Sequence, residues 1–417
     1  MGNSIDIRAK RVVITGMSAI TPFGIGVDTL WENLVNGRSA IRILSGFDAY
    51  DYPIKIGGQV PTINYEEYLP DLNLNKIDPS THLVLTTAGM ALKKAGLDLK
   101  EEKFIPTIFG SGFGPIASHE EGYSVYFLKG WRKGSPQTIP KGMYNNPASM
   151  TSIYYKLTGA NHMIASACAS GASAIGQAYH MIKFGTAKQV LTGGLDRPLT
   201  PSMFSAWIMM RVLSNNPDPQ RACRPFDKNR NGLILSEGSA MLLLEDLESA
   251  KERNAKIYGE IIGYGASSDA FHIAQPNFSG EALAIKKALE DANLKPEDVD
   301  YINAHGTSTV MNDKTETKAI KEALKDHSYK IPISSNKSML GHSMGASGAI
   351  EAIATILTIN NSIIPPTINY ETLDPECDLD YVPNSARKHP IEIALSNSFA
   401  FGGNNSVLIF KKYEGGK

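Results

Sequence analysis

The 417-residue chain is poor in cysteine, with three residues set far apart at Cys168, Cys223 and Cys377. An odd count without a CxxC pair excludes a disulfide framework and offers no zinc-ligand spacing. An excess of charge is also lacking, since 41 Lys and Arg stand against 42 Asp and Glu for a net charge of −1 at pH 7. That balance gives no basis for a nucleic-acid or anionic-membrane partner. Asp, Glu, Lys and Arg are missing from Leu157 to Ile182, yet Asn161, His162, Gln177, His180 and several serines interrupt that stretch and exclude a transmembrane span. Low-complexity segments and short-period repeats are missing too. No apolar h-region opens the chain, and Asp6 stands where a myristoylation signal carries Ser or Thr, so a cytoplasmic protein is expected.

With 42% hydrophobic and 20% charged residues, the chain has the balance of a globular protein with a large core. Length suggests two or three domains, or two halves sharing one layered core. Strand and helix patterns alternate. "RVVITG" reads as a buried strand, and "GVDTLWENLVNG" as a short helix with Asp28 as N-cap and Gly37 just past its end. "KQVLTGG", "SAMLLLED", "VDYINAH", "IPISSNK" and "NSVLIFKKY" read as further strands. "GEALAIKKALEDANL", "DKTETKAIKEALKD" and "GASGAIEAIATILTIN" read as helices, the second with Asp313 and Glu316 as a capping-box-like pair. The alternation predicts a layered α/β architecture with mainly parallel sheets. The segment from Glu248 to Lys256 marks the handover between a half at 1–258 and a half at 259–417.

Small residues crowd around Cys168: from Ala165 to Gly176 every position but Ile175 is Ala, Ser, Gly or Cys. Something must approach this backbone closely. An irregular approach followed by a helix that stops at Gly185 places Cys168 at a helix N-terminus, where unpaired N–H groups and the macrodipole lower a thiol pKa and supply oxyanion donors. Tight helix packing alone is the competing reading. His305 in "NAHGTSTVMND" and His342 in "NKSMLGHSMGASG" both fall in strand-to-helix loops beside glycines, where α/β folds carry their sites. One cysteine with two histidines points to acyl transfer. A cysteine hydrolase, using one His as base, and a non-catalytic scaffold stand beside that reading. "DKNRNG" opens like a calcium loop, but Glu237 falls one place early, so no metal is expected. "GSGFG", Gly110 to Gly114, misplaces the third glycine of a dinucleotide loop and reads as a pocket-lining turn. "SFAFGGNN" reads either as a turn with two core phenylalanines or as a mobile gate.

These stretches, together with "VVITGMSAITPFG", "RPFDKNRNG" and "PPTIN", resemble the β-ketoacyl-acyl-carrier-protein synthase II class of the thiolase superfamily over almost the whole chain. The resemblance implies a thiolase-like fold, two similar halves stacked as α-β-α-β-α layers, with a dimer formed along the first half. It implies Cys168 as the nucleophile that accepts an acyl group from a carrier-protein thioester. His305 and His342 would donate hydrogen bonds to the malonyl thioester carbonyl as carbon dioxide departs, with Lys337 tuning them. Backbone N–H groups of Cys168 and Phe401 would form the oxyanion hole, Phe399 and Phe401 the gate, and Phe113 a wall of the acyl pocket, with Asp313 and Glu351 as supporting residues. No cofactor is implied beyond the phosphopantetheine of an acyl carrier protein. "VMNDKTET", "DRPLTPSM" and "DPECDLDYVP" are similar to ketosynthase subunits of type II polyketide systems, whereas "FGGNN" is nearer the fatty-acid version. The partner the resemblance implies is a carrier protein, plus either a second copy of this chain or a chain-length-factor-like subunit. Lys133, Arg211 and Lys228 are candidate contacts for an acidic carrier.

Overall fold

The computed structural model describes residues 9–415, so Asp6 lies outside the described residues. Among these residues, ten strands follow one hydrogen-bonded path. The first five are β1 (Val12–Thr21), β2 (Thr107–Gly110), β3 (Asn161–Ile164), β4 (Gln189–Asp196) and β5 (Gly238–Asp246). The second five are β6 (Gly259–Ser268), β7 (Tyr301–Asn303), β8 (Ile333–Ser334), β9 (Ile393–Ala400) and β10 (Asn404–Lys411). They lie in the order β3-β2-β4-β5-β1 and β8-β7-β9-β10-β6. The same order occurs twice, and the two sets meet where Val12–Ile14 of β1 pair with Gly259–Ile261 of β6.

The expectation of mainly parallel sheets is corrected. In each set the pairings on the first two strands are parallel (β2 with β3 and β4, β7 with β8 and β9), while β4–β5, β5–β1, β9–β10 and β10–β6 are antiparallel. A turn as short as Phe401–Gly403 between β9 and β10 permits only an antiparallel return, because a parallel one needs a crossover.

Helices α5 (Ser170–Lys183) and α9 (Ser347–Asn361) lie between the two sets of strands. Ile175 and Ile182 of α5 share one apolar cluster with Ile350, Ile353 and Ile356 of α9, Leu242 and Leu244 of β5, and Leu408 of β10. Each fully buried isoleucine here contributes about 1.5–3 kcal/mol of burial free energy. Met241 and Leu243 face the other way, into a cluster with Val84 and Leu92 of α2 (Pro79–Lys94) and Tyr155 of α4 (Asn146–Tyr155). This alternation lets one all-apolar strand serve two layers. On the far side, α7 (Phe278–Ala292) and α8 (Val310–Leu324) cover β6, β7, β9 and β10 through Ile285, Leu289, Ile320 and Leu324. The layers therefore run α-β-α-β-α. Among the described residues no helix is long and apolar enough to cross a membrane.

Two capping expectations are corrected. Helix α1 (Val27–Val35) starts after Gly26, and Asp28 lies inside its first turn, where a carboxylate still meets the positive helix end; Gly37 is left-handed past its end, as expected. Helix α8 is capped by Thr309, whose hydroxyl accepts from Asn312 N–H at 3.3 Å. Asp313 and Glu316 are thereby free to bond elsewhere.

Candidate active site

Helices α5 and α9 begin in matching ways. Each follows a short 3-10 turn, Ala167–Ala169 and Met344–Ala346, that opens on a left-handed non-glycine residue, Ala167 at φ +47° and Met344 at φ +50°. Each such residue stores about 1–3 kcal/mol of strain, which the surrounding packing must hold. The small residues now have their reason. A Cβ on Gly171 would stand 2.6 Å from the Gly345 carbonyl oxygen, one on Gly348 2.8 Å from Ala172 N, and one on Gly110 2.1 Å from the Ser170 carbonyl oxygen. Backbone meets backbone where the two central helices start, and Cys168 sits in that crossing, 8% exposed, with Sγ 3.9 Å from Met344 Sδ.

The expected lowering of the Cys168 pKa is also corrected. Cys168 lies in the 3-10 turn two residues before α5, and burial pushes its thiol up to about 12, against the pull of Lys337 and of the Phe401 and Cys168 backbone N–H groups. A helix end offers at most about 2 kcal/mol, while full burial shifts a pKa by up to about 3–5 units. The resting group is a thiol, and the two N–H groups directed at it are available to a developing anion.

His305 follows β7 and His342 precedes α9; both are buried, with ring centroids 5.2 Å apart and planes at 85°. Burial first, then the Lys337 ammonium, holds both imidazoles well below the ordinary histidine value, so both are neutral. Lys337 Nζ lies 3.3 Å from His305 Nδ1. An ammonium only donates, so Nδ1 accepts and the ring proton of His305 sits on Nε2. Ser347 Oγ lies 3.0 Å from His342 Nδ1, and donation by that hydroxyl likewise leaves the proton on Nε2, a buried atom with no protein partner. Two neutral N–H donors are thus available to an oxygen that gains negative charge.

Behind them, Lys337 forms a buried ion pair with Glu351 of α9. Lys337→Ala should destabilise the fold by about 3–5 kcal/mol at pH 8, because it strands a buried carboxylate. Burial already holds the Glu351 carboxyl up at about 7 even beside Lys337, and without the ammonium it rises further, so as the pH falls the carboxyl of the variant takes a proton and the loss shrinks. Denaturant melts of the variant at pH 8 and pH 6 check this; an equal loss at both would contradict it.

Cys168 faces two cavities. One, of about 440 Å³, is lined by Cys168, His305, His342, Phe399, Phe401 and Arg211 among others. The second, of about 270 Å³ and mostly apolar, is lined by Cys168, Phe113, Met203, Trp207, Met344 and Phe401. Helix α6 (Pro201–Met209) brings Trp207, whose ring stacks on Phe401 at 6.0 Å and meets Phe113 edge-on at 6.3 Å. The turn Phe401–Gly403 therefore stands where the two cavities meet, tied down by Gly402 N–H donating to Ile273 O at 2.7 Å. Lys133 and Lys228 are exposed surface residues outside both linings.

Not every candidate reaches the cavities. Asp313 is buried to one side, where its carboxylate accepts from Phe226 N–H at 2.8 Å and lies 3.4 Å from Arg230. Cys377 belongs to the cluster under α7 and α8, and the Cys223 thiol donates to the Lys337 carbonyl at 3.0 Å. Asp227, from the calcium-like stretch, accepts from the backbone N–H groups of Asn229, Glu371 and Thr372. Residues the sequence reading did not assign to the site hold it in place. Glu316 accepts from the N–H groups of His305 and Gly306 at 2.8 and 2.7 Å. Asp196, at the end of β4, accepts from Gly112, Phe113 and Gly345 N–H and from the Ser111 hydroxyl, tying the glycine turn to the turn before α9. Their only signal in the sequence is an acidic residue inside an otherwise apolar or helical run.

Residues 9–250 match the model of the β-ketoacyl synthase N-terminal domain, and residues 258–371 that of its C-terminal domain. A 3-oxoacyl-[acyl-carrier-protein] synthase 2 of Synechocystis sp. is 44% identical over 414 residues, covering 98% of this chain and 100% of the relative. Among solved structures, the ishigamide ketosynthase/chain length factor superposes with a TM-score of 0.92 at 34% identity, over 97% of this chain and 100% of that one. A ketosynthase solved with its type II polyketide acyl-carrier protein and bound to the hexaketide gives 0.90 at 32% identity, over 97% and 100%. Matched by both domain models and aligned with these relatives along its length, the chain belongs to the β-ketoacyl synthase family of condensing acyltransferases.

Proposed function

We propose that the chain joins a Cys168-bound acyl group to malonyl carrier protein, as the ketosynthase subunit of a type II polyketide system. The supporting observation is that one cavity presents the Cys168 thiol beside two neutral imidazoles. Residues 1–258 bring the nucleophile and 259–417 bring both histidines. In the first half-reaction Cys168 Sγ attacks the acyl thioester carbonyl, the oxyanion is held by the Cys168 and Phe401 N–H groups, and the carrier sulfur leaves as a thiol with the proton that Cys168 gives up. The acyl chain lies in the 270 Å³ cavity. In the second, malonyl carrier protein enters the 440 Å³ cavity and the C–COO⁻ bond breaks. His305 and His342 donate Nε2–H to the thioester oxygen as it becomes an enolate, whose carbon attacks the Cys168 thioester and releases the sulfur. The phosphopantetheine of the carrier would deliver both substrates.

The polyketide placement draws support from "VMNDKTET" and from the polyketide neighbours in fold. The 44% identical 3-oxoacyl synthase 2 favours a second placement, a fatty-acid synthase that elongates unaided. A partner subunit has a fitting surface in the first half. Helix α3 (Ile116–Lys129) buries only Ser118 in the single chain, and Tyr123, Tyr126, Phe127, Leu128 and the following Trp131 are exposed. Exposed apolar side chains in such number mark an interaction surface, and we assign it to a second ketosynthase-fold subunit, either another copy of this chain or a chain-length-factor-like one. Mass spectrometry of carrier protein after incubating the purified chain with acyl- and malonyl-loaded carrier separates the placements. β-Ketoacyl carrier formed by the chain alone supports the fatty-acid placement, and acylated Cys168 without elongation supports an obligate partner. A Cys168 that stays free overturns the mechanism.

The size of the inner cavity gives a further expected result. Phe113→Ala removes a ring from its wall, so longer acyl donors should gain. Each added methylene that finds room contributes about 0.8 kcal/mol, and two should raise kcat/KM for the longer donor about tenfold. An unchanged chain-length profile in competition assays would refute this role for Phe113.

A further inference from the structure

Glu281, in the first turns of α7, is fully buried, and neither of its carboxyl oxygens has a hydrogen-bond partner in the protein. It lines the 440 Å³ cavity together with Cys168, His305, Asp269 and Asn405. A buried carboxyl left unpaired costs several kcal/mol, so its retention beside a substrate cavity calls for an explanation. Nearby polar groups are already engaged. Asp269 accepts from Asn277 N–H at 3.0 Å and from the Asn405 amide at 2.7 Å, and Glu316 accepts from His305, Gly306 and Asn397. The Gly280 carbonyl takes the Ser267 hydroxyl at 2.6 Å. Burial, and then the charges of Glu316 and Asp269, hold the Glu281 carboxyl well above its ordinary range. In its neutral form it offers one O–H donor and one carbonyl acceptor.

The condensing reading above supplies a ligand with that chemistry. The acyl and malonyl groups carry acceptors only, whereas the phosphopantetheine arm carries secondary amides, each with an N–H donor and a carbonyl acceptor. We propose that Glu281 is a substrate-positioning residue whose carboxyl group hydrogen-bonds an amide of the phosphopantetheine arm in the entrance cavity. The inference rests on the condensing reading for the identity of the arm, but the unpartnered carboxyl is a feature of this chain's own structure. It also carries a stability consequence: the site holds an acid whose bonds are completed only when substrate is present.

The test uses the full-length chain with free pantetheine as probe, comparing wild type, Glu281→Ala and Glu281→Gln by calorimetry. Loss of one hydrogen bond is expected to weaken pantetheine binding about two- to tenfold in Glu281→Ala. Glu281→Gln, which keeps a donor and an acceptor, should bind within twofold of wild type. Glu281→Ala should also melt no lower than wild type, because it removes an unpaired buried acid, and its KM for malonyl carrier should rise with kcat unchanged. A pantetheine Kd equal to wild type in Glu281→Ala overturns the assignment, as does a Glu281→Gln variant that loses as much as Ala. Condensation by wild type is measured alongside. If wild type yields β-ketoacyl product while the Kd ignores Glu281→Ala, this assignment alone fails. If Cys168 of the wild type stays unacylated while the Kd responds, the condensing reading alone fails.

Discussion

Cys168→Ala is expected to abolish β-ketoacyl formation, by at least about a thousandfold, and to leave the chain unacylated after exposure to acyl carrier. The physical reason is specific to this sulfur. Cys223 and Cys377 are more deeply buried, where Cys223 donates to the Lys337 carbonyl and Cys377 is packed beneath α7 and α8. Only Cys168 borders both cavities, with two backbone N–H groups directed at it. The fold should survive, since small residues already fill nearly all the surrounding positions. Malonyl carrier should still lose carbon dioxide, because His305 and His342 keep their partners. Intact-mass measurement of the variant decides the matter, and an acyl adduct on it would assign the nucleophile elsewhere.

The second large effect concerns the histidines. His342→Ala removes a neutral Nε2–H donor from a buried, water-poor wall, where one such donor is worth about a hundred- to a thousandfold in rate. The loss should fall on malonyl decarboxylation and condensation, and acylation of Cys168 should persist, since the oxyanion donors proposed for it are backbone groups of Cys168 and Phe401. A variant slow in acylation but normal in decarboxylation would reverse these roles. The same burial sets the pH response. Both imidazoles are held well below the ordinary value of 6.5, chiefly by desolvation and next by Lys337. Between the depressed value and 6.5 the unfolded chain binds protons that the folded chain refuses, so the two histidines' contribution to stability rises with pH up to about 6.5 and then levels off, opposed by the raised Glu351 carboxyl over the same range. Decarboxylation should show no inflection at 6.5, because the folded imidazoles are already neutral there; a pH–rate profile with a limb at that value would contradict it.

Met344 and Ala167 carry a lesson about which features local sequence discloses. Both adopt a backbone conformation that their side chains disfavour, at equivalent places before the two central helices. Nothing in "SMGAS" or "SACAS" announces a left-handed residue, since neither Met nor Ala prefers that region. The surrounding packing imposes it, as Asp196 draws Gly345 N–H toward the glycine turn and the two helices press together at Gly171 and Gly348. The helix-end argument for Cys168 shows a similar limit. It correctly placed the residue before a helix, yet the sign of its pKa shift depended on burial by α9 and the Phe401 turn, which lie far away in the chain.

From sequence alone came the chemistry and its placement along the chain: one cysteine before a small-residue helix, two histidines in strand-to-helix loops, and alternating strands and helices that imply layers. These are local properties, carried by side-chain type, glycine spacing and periodicity within a few residues. Tertiary structure alone decided the rest. It joined the two sets of strands through β1 and β6, repeated one strand order twice without a repeated sequence signal, moved Asp313 off the site, and set Glu316, Asp196, Trp207 and Glu281 around it. These outcomes depend on contacts between separate elements of the fold, whose burial and desolvation outweigh local preference and leave no trace in any short stretch of the chain.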